Sequence, residues 1–337
     1  MQEWIKEVAR GKRGARHLTY EEAFDCAMAI VNGRATGIQV AALLIGLRTK
    51  GEAMDEFHGF VNAFRQSIPA CPANPQALNC SGPYDGRHTF PVTLLVSLLL
   101  ASAGFPQFLH GSESLPPKYG VAVKDVMTGI GLNVCMTPND LERSIRAHKL
   151  GFVWTDRMYP VLGGVRQARE QIGVRTMINT VEKLLNPIGA KQLLFGVNHK
   201  TAMEHLVHLA PLLGFESVYV VQGIEGSEDL PIYKRSAVRK INAGGDESFL
   251  IDPSFFGFKG EELPKMNLQQ QIDTAKELID GVRSPVIDNI REHIVFNAGM
   301  RLFWFGKVNA YEDGFQRARE MLAHGELSFA LTRWQHI

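Results

Sequence analysis

At 337 residues, with 45% hydrophobic and 21% charged content, the chain has length for two domains, each with its own core. Lys and Arg total 36 against 35 Asp and Glu, so a net charge of +1 excludes a wholesale polyanion binder but not a local basic groove. The longest apolar run, Val92 to Ala103, is broken by Thr93, Ser97 and Ser102 and stops at Gly104, which excludes a membrane span.

In chain order, residues 1–67 read as helix throughout. The opening QEWIKEVARGKRGAR carries acids and no apolar core, unlike a secretory signal. Thr19 with Glu22 makes a capping box before Glu21–Val31, which Asn32-Gly33 ends. A second helix, Gly37–Arg48, puts Ile38, Ala41, Ala42 and Ile45 on one face, and a third covers Met54–Ser67. Three short antiparallel helices make a small bundle, and apolar surface left on it suits a homodimer contact.

A Pro-rich linker, Ile68–Pro75, leads into an α/β pattern. Predicted strands are Gln76–Asn79, Pro106–His110, Gln192–Val197 and Ser217–Gln222; predicted helices are Phe90–Leu100, Lys118–Gly129, Leu141–Ala147, Val165–Leu185 and Thr201–Leu213. Met266–Trp334 reads as mostly helical. Alternating strands and helices imply a mostly parallel sheet with its sites at the carboxyl ends of the strands. The division is therefore 1–67, a helical domain with helices from about 160–187 packed on it, and 68–337, an α/β domain.

Asn79–Gly86 is a glycine-containing loop running into the apolar helix from Phe90. Free N–H groups and the positive end of the helix dipole make such a junction an anion site, and Thr89 or Thr93 can add a hydroxyl. An ordinary loop-to-helix turn is the alternative. Cys26, Cys71, Cys80 and Cys135 lack CxxC or Cys–His spacing and read as reduced thiols of a cytoplasmic protein. The histidines show no metal pattern; His205 and His208 read as helix-surface residues.

Together these segments resemble anthranilate phosphoribosyltransferase and its relatives over nearly the whole chain. The resemblance rests on LTYEEAFDCAMAIVNGRATGIQVAALLIGLRTKGEAMDEFHGFVNAFR in the helical part and on Arg169 to Thr176 with Asn179 and Asn186-Pro187 in the middle. Asn297-Ala298-Gly299 to Gly306, then Glu312-Asp313-Gly314 to Leu327, extends it to the C-terminal helices. It implies the nucleoside phosphorylase/phosphoribosyltransferase type of fold: a small helical domain, a larger α/β domain, an active site between them and a homodimer through the helices. It also implies phosphoribosyl pyrophosphate and magnesium as ligands.

Carried over residue by residue, the resemblance assigns Gly82, Asp85, Gly86, Thr89 and Thr93 to the pyrophosphate loop and His110, Gly111 and Ser112 to the second phosphate loop. It assigns Glu228 and Asp229 to Mg2+, and Arg169 to an acceptor carboxylate, a task a guanidinium fork suits. The departures are equally specific. Pro83, Tyr84 and Pro91 replace two glycines and an asparagine, and Leu109 and Glu113 stand where the family has a lysine and an arginine. These changes degrade the donor site.

The chain thus looks closer to a divergent branch, the YbiB-like proteins, which keep the fold and dimer but bind nucleic acid. The cations suited to a phosphate-tracking groove are Lys12, Arg13 and Arg16, then Arg166 with Arg169, then Lys234, Arg235, Arg239 and Lys240. Ordinary surface charge is the alternative for each cluster. The expectation is a non-catalytic homodimer binding DNA or RNA, with no membrane contact. The competing expectation is an active Mg-dependent phosphoribosyltransferase with an altered acceptor.

Overall fold

The computed structural model describes residues 1–335 except 12, 83 and 200, and the side chains of all of these but 201 and 202. Local sequence starts the N-terminal helices. The Thr19 hydroxyl accepts from the Glu22 amide at 3.3 Å while the Glu22 carboxylate accepts from the Thr19 amide at 3.0 Å, opening the helix Tyr20–Val31. Thr36 and Gln39 repeat this for Gly37–Lys50. The third helix is Met54–Ser67, and a fourth, Gln2–Val8, precedes them all. A Cβ at Gly59 would lie 2.8 Å from the Phe24 amide, so glycine lets Met54–Ser67 close on Tyr20–Val31. Phe57, Phe60 and Phe64 fill the bundle, and Ile38, 83% exposed, and Ile45 remain on its outer face.

Seven strands follow: β1 (Leu78–Cys80), β2 (Gln107–Gly111), β3 (Leu150–Trp154), β4 (Gln192–Gly196), β5 (Ser217–Val221), β6 (Ser236–Asn242) and β7 (Gly245–Ile251). They form one sheet in the order β3-β2-β1-β4-β5-β6-β7. Pairings from β3 through β5 are parallel, and β5-β6-β7 is antiparallel. The sheet is therefore mixed but mostly parallel. Residues Val92–Ala101 are buried on every side, because that helix lies between the sheet and the helices Pro285–Trp304 and Glu326–Gln335.

Several boundaries move from the sequence reading. β1 starts at Leu78 instead of Gln76, and the helix expected from Lys118 starts at Val123. The helix expected from Val165 to Leu185 is broken in two: Pro160–Ile172 ends on Gly173 in the left-handed region, and Ile178–Val181 then runs into a 3-10 turn, Glu182–Leu184. β3 and the β6–β7 hairpin were not expected. Arg239 and Lys240 interrupt the apolar alternation of β6, as suits strands near a sheet edge.

The helical and α/β parts are tied together. Pro160–Ile172 lies against Gly37–Lys50, and Arg65 donates to the carbonyls of Leu184, Leu185 and Leu213 at 2.7–3.0 Å. Among the described residues, no helix is long and apolar enough to cross a membrane.

Candidate functional site

Parallel strands deliver their loops to one edge. β1 leads to Ser81–Thr93, β2 to Ser112, β4 to Val197 and β5 to Gly223–Asp229. The sequence-assigned residues Gly82, Asp85, Gly86, Thr89, Thr93, His110, Gly111 and Ser112 meet there; Pro83 lies outside the described residues. Gly86 sits at φ +74° and a Cβ on it would strike the Gly120 backbone, so only glycine fits this turn.

The centre of this junction is filled by the protein itself. The Tyr84 hydroxyl donates to His110 Nδ1 at 2.5 Å, and His110 Nε2 donates to Asn79 Oδ1 at 2.9 Å. Burial holds His110 neutral, its pKa pushed down to about 3, and raises the Tyr84 hydroxyl well above its ordinary value. The cavity remaining between Gly82, Tyr84, Arg87, Thr93 and the His110–Ser112 segment is about 20 Å³.

The carboxylates assigned to Mg2+ are also engaged. Asp229 accepts from Arg87 Nη1 through one oxygen and from Arg301 Nη2, at 3.2 Å, through the other. Arg301 also donates to Thr93 Oγ1 at 3.1 Å. Glu228 is buried with neither carboxylate oxygen bonded, and burial, then the charge of Asp229, raises its pKa. Glu225 turns away from both. It accepts from the amides of His88 at 3.1 Å and Thr89 at 2.8 Å and from the Thr89 hydroxyl at 2.7 Å. Burial works to raise its pKa, but these donors together with Arg87 outweigh it and hold the carboxyl below its ordinary range.

A magnesium ion needs several oxygen ligands that face it. Here two guanidiniums cover Asp229, and no cluster of three metal-ligating side chains exists among the described residues. In this arrangement Asp229 is turned to the two arginines, and of the pair only Glu228 has unbonded carboxylate oxygens. The sequence alone shows the acidic pair without the arginines opposite it.

Arg169 is 5% exposed and grips Glu182 through two bonds of 2.6 and 3.0 Å. Burial raises the Glu182 pKa, with Arg169 pulling it back. The fork assigned to an acceptor carboxylate thus already holds a carboxylate of its own chain. Sequence reasoning missed Glu182 and its neighbour Lys183. The signal was there: two adjacent charges inside the apolar run from Met177 to Leu185.

Several of the cations assigned to nucleic acid are paired with carboxylates of the same chain. Arg16 pairs with Glu22 at 2.6 Å and Glu7 at 3.0 Å, and Arg166 pairs with Glu170 at 2.8 Å and Asp156 at 3.3 Å. Arg239 bonds Glu204 and Asp246, and Lys240 stands opposite Glu247 in the hairpin register. Arg13 is exposed; Lys12 lies outside the described residues. Lys234 and Arg235 are exposed at the start of β6, where Arg235 pairs with Asp252 at 2.6 Å.

Comparison with known proteins fits this architecture. Residues 2–68 match the glycosyl transferase family's helical bundle domain and residues 79–327 its a/b domain. The anthranilate phosphoribosyltransferase of Persephonella marina is 29% identical over 329 residues, covering 96% of this chain and 94% of that protein. That of Nitrosomonas europaea is 29% identical over 315 residues, covering 91% and 90%. Among solved structures, the Thermus thermophilus anthranilate phosphoribosyltransferase superposes with a TM-score of 0.85 at 24% identity, covering 99% of this chain and 98% of that one. The Saccharomyces cerevisiae enzyme, in complex with PRPP and Mg, gives 0.85 at 17% identity, with 99% and 96% covered. Two-domain architecture, the run of loops along one sheet edge and these matches agree: the chain belongs to the glycosyl transferase family and is anthranilate phosphoribosyltransferase-like.

Proposed function

We propose that this chain is a non-transferring member of its family, a binding protein whose donor pocket is closed by its own side chains. The observation that carries this is the volume at the glycine loop. About 20 Å³ is roughly the room one water needs, far short of a pyrophosphate with its metal. Tyr84 occupies the space that glycines leave open in the family pattern, and its hydrogen bond to His110 fixes it there. Arg87 and Arg301 hold the acidic turn in the same closed arrangement.

The test is equilibrium titration with phosphoribosyl pyrophosphate and magnesium, paired with an assay for transfer to anthranilate and other amines. We expect no product and no magnesium-dependent saturation. Magnesium-dependent product from the unaltered chain, lost in a Glu228→Ala, Asp229→Ala double variant, would establish an active transferase instead.

A second reading, single-stranded nucleic acid as the ligand, is supported by one surface. Phe255 is 83% exposed on the 3-10 turn Pro253–Phe256, and Arg235 grips Asp252 at the start of that turn. Lys234 lies beside it, 5.2 Å from the Tyr233 ring centre. Exposed aromatic and cationic side chains side by side suit base stacking with phosphate contact. The resemblance to the YbiB-like branch points the same way. Fluorescence anisotropy of a labelled oligonucleotide should show affinity falling with salt, weakened by about 1–3 kcal/mol in Phe255→Ala. Charge reversal at Lys234 and Arg235 should flatten the salt dependence by about one unit of slope per lost phosphate contact. Unchanged affinity in these variants would remove this surface from the reading.

A further inference from the structure

We propose that the cavity beside Lys183 is a binding site for a small oxyanion, a carboxylate or a phosphate, held by the Lys183 ammonium and the Arg175 guanidinium. The cavity measures about 220 Å³ and opens between the short helix Ile178–Val181, the end of β4 and the turn at Gly226. Its polar lining includes Arg175, Asn179, Thr180, Lys183, Asn198 and His199, together with the Asp85 carboxylate, which Arg175 and Lys118 hold. Tyr84 lines both this cavity and the small one at the glycine loop, and so forms a wall between them.

Lys183 is the reason to expect an anion. It is 6% exposed, and its ammonium has three donors. One goes to the Gly196 carbonyl at 3.2 Å, and the Phe195 ring centre lies 4.8 Å away. Among the described residues no carboxylate comes within ion-pair distance of it. Its neighbour Glu182 is committed to Arg169 and Asp85 to Arg175 and Lys118. Buried charges are ordinarily paired, because an unpaired one forfeits its hydration. The cost is visible here: burial pushes the Lys183 pKa down to about 8, against the opposing pull of Glu228, Asp85 and Glu182 and alongside the repulsion of Lys118.

Arg175 supplies the second contact. It places Nε at 3.0 Å and Nη2 at 2.5 Å from Asp85, and Nη1 has no partner among the described residues. Two donors of like charge on one cavity wall, both with unused N–H groups, recognise oxygen acceptors that carry negative charge. The cavity, at about 220 Å³, has room for a small anion. This site does not depend on whether the chain transfers phosphoribosyl groups: transfer is judged by magnesium-dependent product, and this site by whether Lys183→Met weakens magnesium-independent binding of phosphate or malonate.

The experiment is isothermal titration of the full chain with inorganic phosphate and, separately, with malonate. We expect one of the two to saturate at one site per chain. Phosphate alone would mark a phosphorylated ligand, malonate alone a carboxylate, and either supports the site. Lys183→Met should weaken binding by at least about tenfold, the loss of one charge-assisted contact, and Lys183→Arg should restore most of it. As a check that needs no variant, the bound anion should shield Lys183 from reductive methylation in the unaltered protein, read by peptide mass spectrometry. No saturation by either anion up to about 10 mM, equal affinity in Lys183→Met, or equal labelling of Lys183 with and without anion would each overturn the proposal.

Discussion

Replacing Asp229 with alanine should cost the protein about 3–5 kcal/mol of stability, a large share of the roughly 5–15 kcal/mol a domain has to lose. Asp229 is fully buried between Arg87 and Arg301, which are 3% and 1% exposed. Removing it takes away the carboxylate that both guanidiniums bond, and neither can shed its proton. Urea titration of both proteins measures the effect; a loss below about 1 kcal/mol would mean that water reaches the arginines once the carboxylate is gone. The neighbouring Glu228→Gln change should act in the opposite direction. Burial raises the Glu228 pKa in the folded state, so its contribution becomes unfavourable as pH rises from the unfolded value through the folded one. A neutral amide of the same shape removes that penalty, and the gain should appear at neutral pH and vanish in acid.

The contrast between these adjacent carboxylates shows where sequence stops being informative. The start of the helix Tyr20–Val31 was legible because its cause is local: Thr19 and Glu22 satisfy each other's backbone within one turn, as Thr36 and Gln39 do for the next helix. The fold was legible through dispersed motifs in the right order. Gathering of the loops at one edge followed from a parallel sheet. What each carboxylate faces was not legible. Asp229 meets an arginine 142 positions earlier and another 72 positions later, and Glu225 reaches back 136 positions to Thr89. An acidic turn at a strand end therefore reads the same whether it faces a cation in solution or a guanidinium from the far side of the sheet. Tyr84 is the intermediate case. Its bulk in a glycine loop announced that the pocket was altered, but only the geometry shows that its hydroxyl locks to His110 and closes the space.

Replacing Arg169 with methionine should be comparably damaging, at about 3–5 kcal/mol, and the repair should be specific. Glu182 is fully buried, and Arg169 supplies both of its strong hydrogen bonds. Without the arginine, the carboxyl must either take up a proton or unfold its 3-10 turn. The double change Arg169→Met, Glu182→Leu removes both charges together and should recover most of the loss, since a packed apolar pair in place of a buried ion pair is often neutral or better. Chemical denaturation of the two single variants and the double variant closes the cycle. Strong coupling would establish that Glu182, and not solvent, is the partner Arg169 is built to hold. It would also bear on the acceptor site, because an incoming carboxylate must displace Glu182 from the arginine before it can bind there. Displacement strands Glu182 in the interior, so the same free energy that stabilises the pair opposes the acceptor. Simple additivity of the two single changes would mean that the fork is free to take a ligand, and the non-transferring reading would lose that support.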